Sequence, residues 1–496
     1  MEITIENTVK PKEFVSKEKY EKLLSDYEYL KQQLNELKRL IFGSKSERFI
    51  PSDESQLHLF ETLEEAATER QTEEISYTRE KSVKEKKQAI RAKLPSHLPR
   101  VEEIIEPENI EEGSKKIGEE ITEILEYNPA KIFVRKFIRP KYAKPNGEGV
   151  VIADLPTLPV PKGNAGASML AFLMVSKFVD HLPFYRQIQI FKRQNLILSD
   201  STLNGWFNAT ADLLSPLYDV LQKQLLQSDY IQADESPIGV QESHKKGSLH
   251  TGYQWVYRSP VERLVLFKYH PSRERKAPEE MLKKFSGSLQ TDGYQGYQNM
   301  KTTGYITRLA CMAHARRYFD KASDNDKKRA EYMLVQMQRL YEIERKARER
   351  NIDFETRKRY RQIYAKPVLA EIKNWLNKNI QEVLPKSAIG KAVAYTLNLW
   401  PQLEEYVNDG KYEIDNNLIE NSIRPLALGR KNYLFAGSHK AAQRAAMFYS
   451  FFATCKINDV EPLAWLTDVL TRIPDHKANK LSELLPQNWQ PKSSPQ

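Results

Sequence analysis

Cysteine is nearly absent from this chain: its 496 residues contain two, Cys311 and Cys455. Two thiols exclude a disulfide framework and any zinc site built from several thiolates. Long apolar runs are also missing, because no stretch reaches the roughly 18 residues of a membrane span. The first residues lack the apolar segment of a signal peptide. We therefore expect a soluble protein of the reducing cytoplasm.

What the chain does have is length and positive charge. It carries 76 lysines and arginines against 66 acids, a net charge of +10. This balance favours a polyanionic partner, nucleic acid before membrane. A chain of this length exceeds one hydrophobic core, so we expect roughly three or four domains.

The N-terminal part divides by pattern. Residues 17–43 repeat apolar side chains at alternating steps of three and four, which predicts a coiled coil; an amphipathic helix packed on its own protein is the alternative. Residues 44–100 are polar and read as a linker. Residues 101–160 form a small strand unit, in which Ile132–Tyr142 alternates apolar and basic residues. That basic face either lies along DNA or is a solvated sheet surface.

Three helices are predicted in residues 161–222. A short turn precedes the third helix, which we expect to be capped by Asp200 or Ser201 and to end near Thr210. This is the outline of a helix-turn-helix, although many helix pairs share it without binding DNA. Leu203, Trp206 and Phe207 would pack inward. The residues predicted to face a DNA groove are Ser201, Thr202, Asn204 and Asn208.

The second half combines an α/β unit with helices. Strands are predicted at 229–240, 252–258, 263–269, 288–292 and 305–312, with a helix before the fourth and another after the fifth. This is the order of a ribonuclease-H-like core. The predicted fold is therefore α/β plus all-α, divided into the core's first part 223–321, a helical insertion 322–410, the core's last part 411–456 and a C-terminal helical region 457–486.

Three acids are candidates for a metal site: Asp234 near the end of the first strand, Asp292 at the end of the fourth, and Glu420 after the insertion. They can converge at the C-terminal edge of the sheet, where α/β folds place their sites. Converging carboxylates repel unless a cation lies between them, and oxygen ligands select Mg²⁺ or Mn²⁺. Strand alternation allows only one of Asp234 and Glu235 to face the metal, and we choose Asp234. Asp415 is the rival for the last position.

Basic residues accompany these acids. Taken alone, Glu420 and Arg424 would be a surface ion pair on a capped helix. Together with the other cations nearby, they predict phosphate contacts, which set affinity for DNA and not sequence. His314 is a further candidate for phosphate contact, with a structural histidine as the alternative. The predicted phosphate contacts are Arg316, Arg317, Arg424, Arg430, Lys431, Lys440 and Arg444.

Several of these motifs resemble one family. The run DNNLIENSIRPLALGRKNYLFAGS, at 415–438, closely resembles the C-terminal signature of bacterial insertion-sequence-66 transposases. ADESP around Asp234, TDGYQGY around Asp292, MAHARRYF around His314 and SKFVDHLPFYRQ around His181 also resemble that family, as do FGSKSER and CKINDVEPLAWL. The resemblance implies a ribonuclease-H-like fold in which Asp234, Asp292 and Glu420 form a DDE site with Mg²⁺ or Mn²⁺.

The resemblance also implies function and partners. It implies 3′-end cleavage and strand transfer at terminal inverted repeats, with accessory proteins from the same element, and the coiled coil suggests a homo-oligomer. Family members usually carry a zinc module with two cysteine pairs, whereas 101–160 has no cysteine, so we expect no structural zinc. The alternatives are a catalytically inactive or repurposed DNA-binding protein and a ribonuclease-H-like nuclease of another substrate.

Overall fold

The computed structural model describes residues 94, 96, 98–109, 113–128, 131–145, 149–161, 163–241, 248–298 and 300–491. They fall into two compact units: a helical unit, Ala310–Asp415, and a main unit of the described residues up to Leu309 and from Asn416 onward. The predicted coiled coil 17–43 and nearly all of the linker 44–100 lie outside the described residues. Of the helices in these ranges, none has the length and apolar character of a membrane span.

The main unit begins with a small sheet built around one central strand. Its strands are β1 (Arg100–Ile104), β2 (Lys115–Asn128), β3 (Lys131–Ala143) and β4 (Val150–Ile152). β3 is the strand predicted at 132–142. It pairs antiparallel with β2 along one edge; along the other edge it pairs parallel with β1 and antiparallel with β4. β2 has no counterpart in the sequence prediction, because its many acids hide the alternating pattern of a strand.

The basic side chains of β3 meet acids of the neighbouring strands. The nitrogen–oxygen distance is 2.9 Å between Arg139 and Glu120, and 3.1 Å between Lys136 and Glu102. These ion pairs favour the solvated sheet surface over a row of cations along DNA.

Three helices follow: α1 (Ala167–Phe178), α2 (Phe184–Arg193) and α3 (Asp200–Leu225). As predicted, Leu203, Trp206 and Phe207 on α3 are buried.

Both predicted ends of α3 are wrong. Its N-cap is Ser199, whose hydroxyl accepts a hydrogen bond from the backbone N–H of Thr202, and neither Asp200 nor Ser201 takes that place. The helix continues past Thr210 to its end at Leu225. It does so because apolar residues at helical spacing continue along the buried face, at Leu214, Leu217 and Leu221.

A second, mixed sheet organises the rest of the main unit. Its strands and one helix are β5 (Tyr230–Gln241), β6 (Leu249–Ser259), β7 (Leu264–His270), α4 (Lys276–Leu282), β8 (Gly287–Thr291), β9 (Ile306–Ala310) and β10 (Phe435–Ala436). The strand order is β7-β6-β5-β8-β9, and β10 pairs with the far end of β5. β6 is antiparallel to β5 and β7, whereas β8 is parallel to β5. The strands predicted from the sequence are therefore confirmed.

Helices from the end of the chain complete this unit: α10 (Asn417–Tyr433), α11 (His439–Ile457) and α12 (Pro462–Arg472). α11 runs along β7, and its side-chain hydroxyls accept hydrogen bonds from backbone N–H groups of β7. The N–H of Phe267 donates to the Ser450 hydroxyl at 2.8 Å, and the N–H of Val265 donates to Thr454 at 3.2 Å. This side-chain pairing occupies polar groups that an edge strand would otherwise expose.

The helical unit contains α5 (Met312–Lys321), α6 (Lys327–Glu349), α7 (Phe354–Asn379), α8 (Ala388–Asn398) and α9 (Trp400–Glu404). α5, part of segment 223–321 in the predicted division, packs on α6 and α8. A buried carboxylate ties α6 to α7: Glu344 lies 2.8 Å from nitrogens of both Arg357 and Arg361. Burial opposes its charge, yet the two arginines hold the pKa of Glu344 below its usual value.

Candidate active site

The parallel pairing of β5 and β8 brings Asp234 and Asp292 to the same level of the sheet. Gln232 on β5 is in register with Gln290 on β8, 58 residues later, and their buried side chains are hydrogen-bonded at 2.8 Å. Asp234 and Asp292 each lie two residues further along the chain, so they keep the same sequence separation as this paired position. β8 ends at Thr291, while β5 continues. The two acids therefore stand where the sheet loses one of its strands.

Helix α10 covers the face of β5 that carries Asp234. At its first turn, Arg258, opposite Gln232 on β6, donates to the backbone oxygen of Leu418 at 2.7 Å and to Ser422 at 3.0 Å. At its last turn, Arg430 donates to the Ser236 hydroxyl at 2.9 Å. Gln232, Asp234 and Ser236 share one face because strand side chains alternate.

Glu420 lies between the two α10 residues that Arg258 contacts, and it is 9% exposed. α10 begins at Asn417, with Asn416 as its N-cap, so Glu420 is in the first turn as the sequence predicted. The first-turn position places Glu420 on the α10 segment that packs over the Asp234 face.

Electrostatics links the three acids. Burial raises the pKa of Asp234 well above its usual value, and the negative charges of Asp292, Glu235 and Glu420 raise it further, in that order. One Asp234 oxygen accepts the backbone N–H of Glu235 at 2.8 Å, and one Asp292 oxygen accepts that of Tyr294, also at 2.8 Å. Asp234, Asp292 and Glu420 are thus close enough to interact, and backbone contacts orient two of them.

The donor set suits a hard divalent cation, since all three groups offer carboxylate oxygens. Within the described ranges, however, no three His, Cys, Asp or Glu side chains lie close enough together to hold one ion. The two observations agree if the acids interact at longer range than metal–ligand bonds require. Their repulsion is what a cation between them would offset.

Glu235, the rival of Asp234, has partners of its own on the opposite face. It accepts from Arg273 at 2.7 and 2.8 Å, and from the Tyr297 hydroxyl at 3.3 Å. Burial, followed by the charge of Asp292, raises the pKa of Glu235 to about 7, although Arg273 opposes the shift. Arg273 also lies 4.2 Å from the ring centre of Tyr294. Sequence reasoning missed Arg273, whose partner is 38 residues away.

The predicted phosphate contacts occupy different surroundings. Arg430 is half-buried: it bonds Ser236 and the backbone oxygen of Pro237, and burial lowers its pKa. Arg444 pairs with Asp212 at 3.1 Å. Lys431 and Lys440 are exposed, and Arg424 is half-buried. The remaining candidates lie half-buried on α5 of the helical unit: His314, Arg316 and Arg317.

One cleft of the main unit unites some of the predicted DNA-binding residues. Asn204 and Asn208 of α3 line it together with Lys440 and Arg444 of α11, around a volume of about 400 Å³. Lys177 of α1, which sequence reasoning missed, also lines this space, which we call the Lys177 cleft. Ser201 and Thr202 are not among the lining residues; their hydroxyls lie 2.8 Å from that of Ser199 in the α3 cap.

Comparison with known protein families identifies the chain. Residues 162–444 match the family described as "Transposase IS66 family", residues 450–487 match "IS66 C-terminal element", and residues 29–102 match "Transposase C of IS166 homeodomain". The first match alone covers more than half of the chain.

Curated relatives are similar along nearly the whole length. Three of them are proteins of Sinorhizobium fredii, each described as uncharacterized. The protein y4jD is 33% identical over 488 residues, spanning 93% of this chain and 94% of the relative. The protein y4hP is 30% identical, with 93% and 88% covered, and y4qI is 32% identical, with 92% and 88% covered. The resemblance predicted from the motifs is confirmed: the chain belongs to the insertion-sequence-66 family of transposases.

Proposed function

We propose that this transposase carries a DDE site made of Asp234, Asp292 and Glu420 in a ribonuclease-H-like core. One observation carries the proposal: the parallel pairing of β5 and β8 and the packing of α10 bring Asp292 and Glu420 within electrostatic range of Asp234. The strand order β7-β6-β5-β8-β9 supports the ribonuclease-H-like assignment. In it, β7, β6 and β5 are antiparallel neighbours, and β8 is parallel to β5.

The reaction is cleavage of a phosphodiester at each 3′ end of the element, followed by joining of that end to target DNA. The three carboxylates would hold Mg²⁺ or Mn²⁺, and the bound ion would supply activation of the attacking oxygen and stabilisation of the leaving 3′-oxygen. Arg273 holds Glu235 on the opposite face, which leaves Asp234 as the acid of this strand that serves the site. Arg430 fixes α10, and with it Glu420, against β5.

DNA is the partner that the basic balance and the family favour. Asn204 and Asn208 on α3, with Lys440 and Arg444 on α11, are the best-supported contacts because they line one cleft. Thr202 and Ser201 precede them on the same helix of a helix-turn-helix. Synapsis of two DNA ends requires a homo-oligomer, and accessory proteins of the element are further partners.

Incubation with DNA tests this function. Purified protein, Mg²⁺ and a pre-cut duplex bearing the terminal repeat should give joined products, and Asp292→Asn should abolish them. The matched control is Asp324→Asn, an exposed aspartate between α5 and α6, which should join normally. Joining by Asp292→Asn at the normal rate would contradict the assignment.

The second candidate is a DNA-binding protein without catalysis. It is favoured by the finding that no three potential ligands in the described ranges are close enough to hold one ion. In the same incubation it predicts specific binding of the terminal repeat, with no cutting or joining in Mg²⁺ or Mn²⁺.

A further inference from the structure

The Lys177 cleft is lined by cations, amides and aromatic rings. Its cations are Lys177, Lys440 and Arg444, and no acid is among the lining residues that the structure describes. Outside this lining, Asp212 pairs with Arg444 at 3.1 Å. A space of about 400 Å³ is within the size range of small-ligand sites. The lining therefore favours an anion that also carries an apolar or aromatic part.

Lys177 gives the strongest indication of an anion. Its ammonium lies 4.2 Å from the ring centre of Phe184, 5.5 Å from that of Tyr433 and 5.7 Å from that of Phe178. Burial alone lowers its pKa to about 8, because no carboxylate in the described residues opposes the shift. Cation–π contacts offset part of the desolvation. A bound phosphate would supply the negative charge that the surrounding protein does not.

The segment that joins α10 to α11 forms one wall of the cleft. Leu434 adopts φ 64°, a conformation unfavourable for a leucine, and the next residue, Phe435, is 38% exposed. β10 fixes this segment by pairing Phe435 with Gly239 of β5. α11 then begins at the cleft, with Ser438 as its N-cap. The backbone thus holds an accessible aromatic side chain beside a helix N-terminus that favours negative charge.

The cleft reaches the strand that carries Asp234, one of the candidate catalytic acids. Its lining includes Ile238 of β5, four residues beyond Asp234 and on the same face of the sheet. At a rise of about 3.3 Å per residue, the separation along the strand is roughly 13 Å. One DNA strand of a few nucleotides is long enough to span that separation.

We propose that the Lys177 cleft binds one unpaired nucleotide of a DNA strand, with its phosphate at Lys177, Lys440 and Arg444 and its base against Phe435. This inference rests on the proposed function, which supplies the DNA. An unpaired base is required because, within a duplex, stacked neighbours cover both faces of every base. Asn204 and Asn208 offer amide groups to its edge.

Binding of labelled single strands to the full chain tests the phosphate part. The probe is a fluorescein-labelled twelve-nucleotide oligothymidylate, compared by anisotropy with the same strand in a duplex, without divalent metal. Lys177→Met and the exposed variant Lys440→Met should each weaken single-strand binding on the order of tenfold, and duplex binding less. The control, Lys456→Met, removes an exposed lysine at the far end of α11 and should change neither.

Fluorescence of 2-aminopurine in the single strand tests the base. Stacking on Phe435 should quench it in the wild type, and Phe435→Ala should remove the quenching and weaken binding on the order of tenfold. Equal losses for single strand and duplex, or quenching that survives Phe435→Ala, would overturn the proposal. Single-strand binding is measured without divalent metal and without joining, so a failed cleft and a failed catalytic assignment give different results.

Discussion

The sequence alone cannot tell whether Arg430 contacts phosphate or holds α10 against β5. It was predicted as a phosphate contact, yet its guanidinium donates to the Ser236 hydroxyl at 2.9 Å and to the backbone oxygen of Pro237 at 2.5 Å. These bonds join the last turn of α10 to the open edge of β5. We therefore expect Arg430→Ala to destabilise the main unit and to displace Glu420.

The size of the effect follows from the two hydrogen bonds. A hydrogen bond from a charged donor contributes about 1.5–3 kcal/mol, so the loss of both removes at least about 3 kcal/mol. Removal of the guanidinium also removes the free-energy cost of burying its charge, which offsets part of this loss. The Ser236 and Pro237 oxygens left without a donor add to the loss. For a unit of this size, about 3 kcal/mol lowers the melting temperature by roughly 6 °C.

The assay is thermal unfolding, in which the melting temperature of Arg430→Ala is compared with that of Lys431→Ala. Lys431, the next residue, is exposed, so its loss should change stability by less than about 0.5 kcal/mol while weakening DNA binding. If Arg430→Ala melts at the same temperature as Lys431→Ala, the interpretation of Arg430 as a clamp on α10 is refuted.

Three other predictions concern separate parts of the molecule. Glu344→Gln removes the carboxylate that buried Arg361 and Arg357 share, of which Arg357 keeps Glu413, and should cost about 3–5 kcal/mol, measured by thermal unfolding. Glu342→Gln, on the same helix with a side chain that is 44% exposed, should have almost no effect. Ser199→Ala removes the α3 cap and should cost about 1 kcal/mol in the same assay. Single-strand binding should weaken as pH rises from 7 to 9, because the Lys177 ammonium has a pKa of about 8 and loses its proton in this range. Tyr433 beside it stays neutral, since burial raises its pKa to about 12. Lys440 and Arg444 face the same cleft, so Lys177→Met should keep the weakened binding predicted above and lose that pH step.

The strands of the main sheet were predictable from local pattern. Apolar alternation bounded by turn residues identifies β5, β6 and β7 to within a few residues. The same criterion misses β2, whose acids interrupt the apolar alternation; one of them, Glu120, pairs with Arg139 of β3. The end of α3 was misplaced for a related reason: polar residues near Thr210 resemble a boundary, whereas buried leucines carry the helix on to Leu225.

The sequence suggests the three acids of the candidate site, but it does not suggest the arginines that hold the surrounding elements in place. Strand alternation separates Asp234 from Glu235, and the order of elements places Asp292 beside the first strand. The partners of Arg430 lie 194 residues away, and that of Arg273 lies 38 residues away, so only the folded chain reveals them. Lys177 lies within the motif SKFVDHLPFYRQ, but only its position among aromatic rings from three helices identifies it as a cleft residue.

The central claim is that Asp234, Asp292 and Glu420 surround the same divalent cation. Iron-mediated cleavage of the polypeptide tests this most directly. Fe²⁺ bound by carboxylates in place of Mg²⁺ reduces added hydrogen peroxide to hydroxyl radicals, becoming Fe³⁺, and these radicals cut only nearby backbone. We predict cuts close to all three residues in one protein sample, suppressed together by excess Mg²⁺ and by Asp292→Asn. Cuts confined to one of the three segments, or persisting in Asp292→Asn, would contradict a shared metal site.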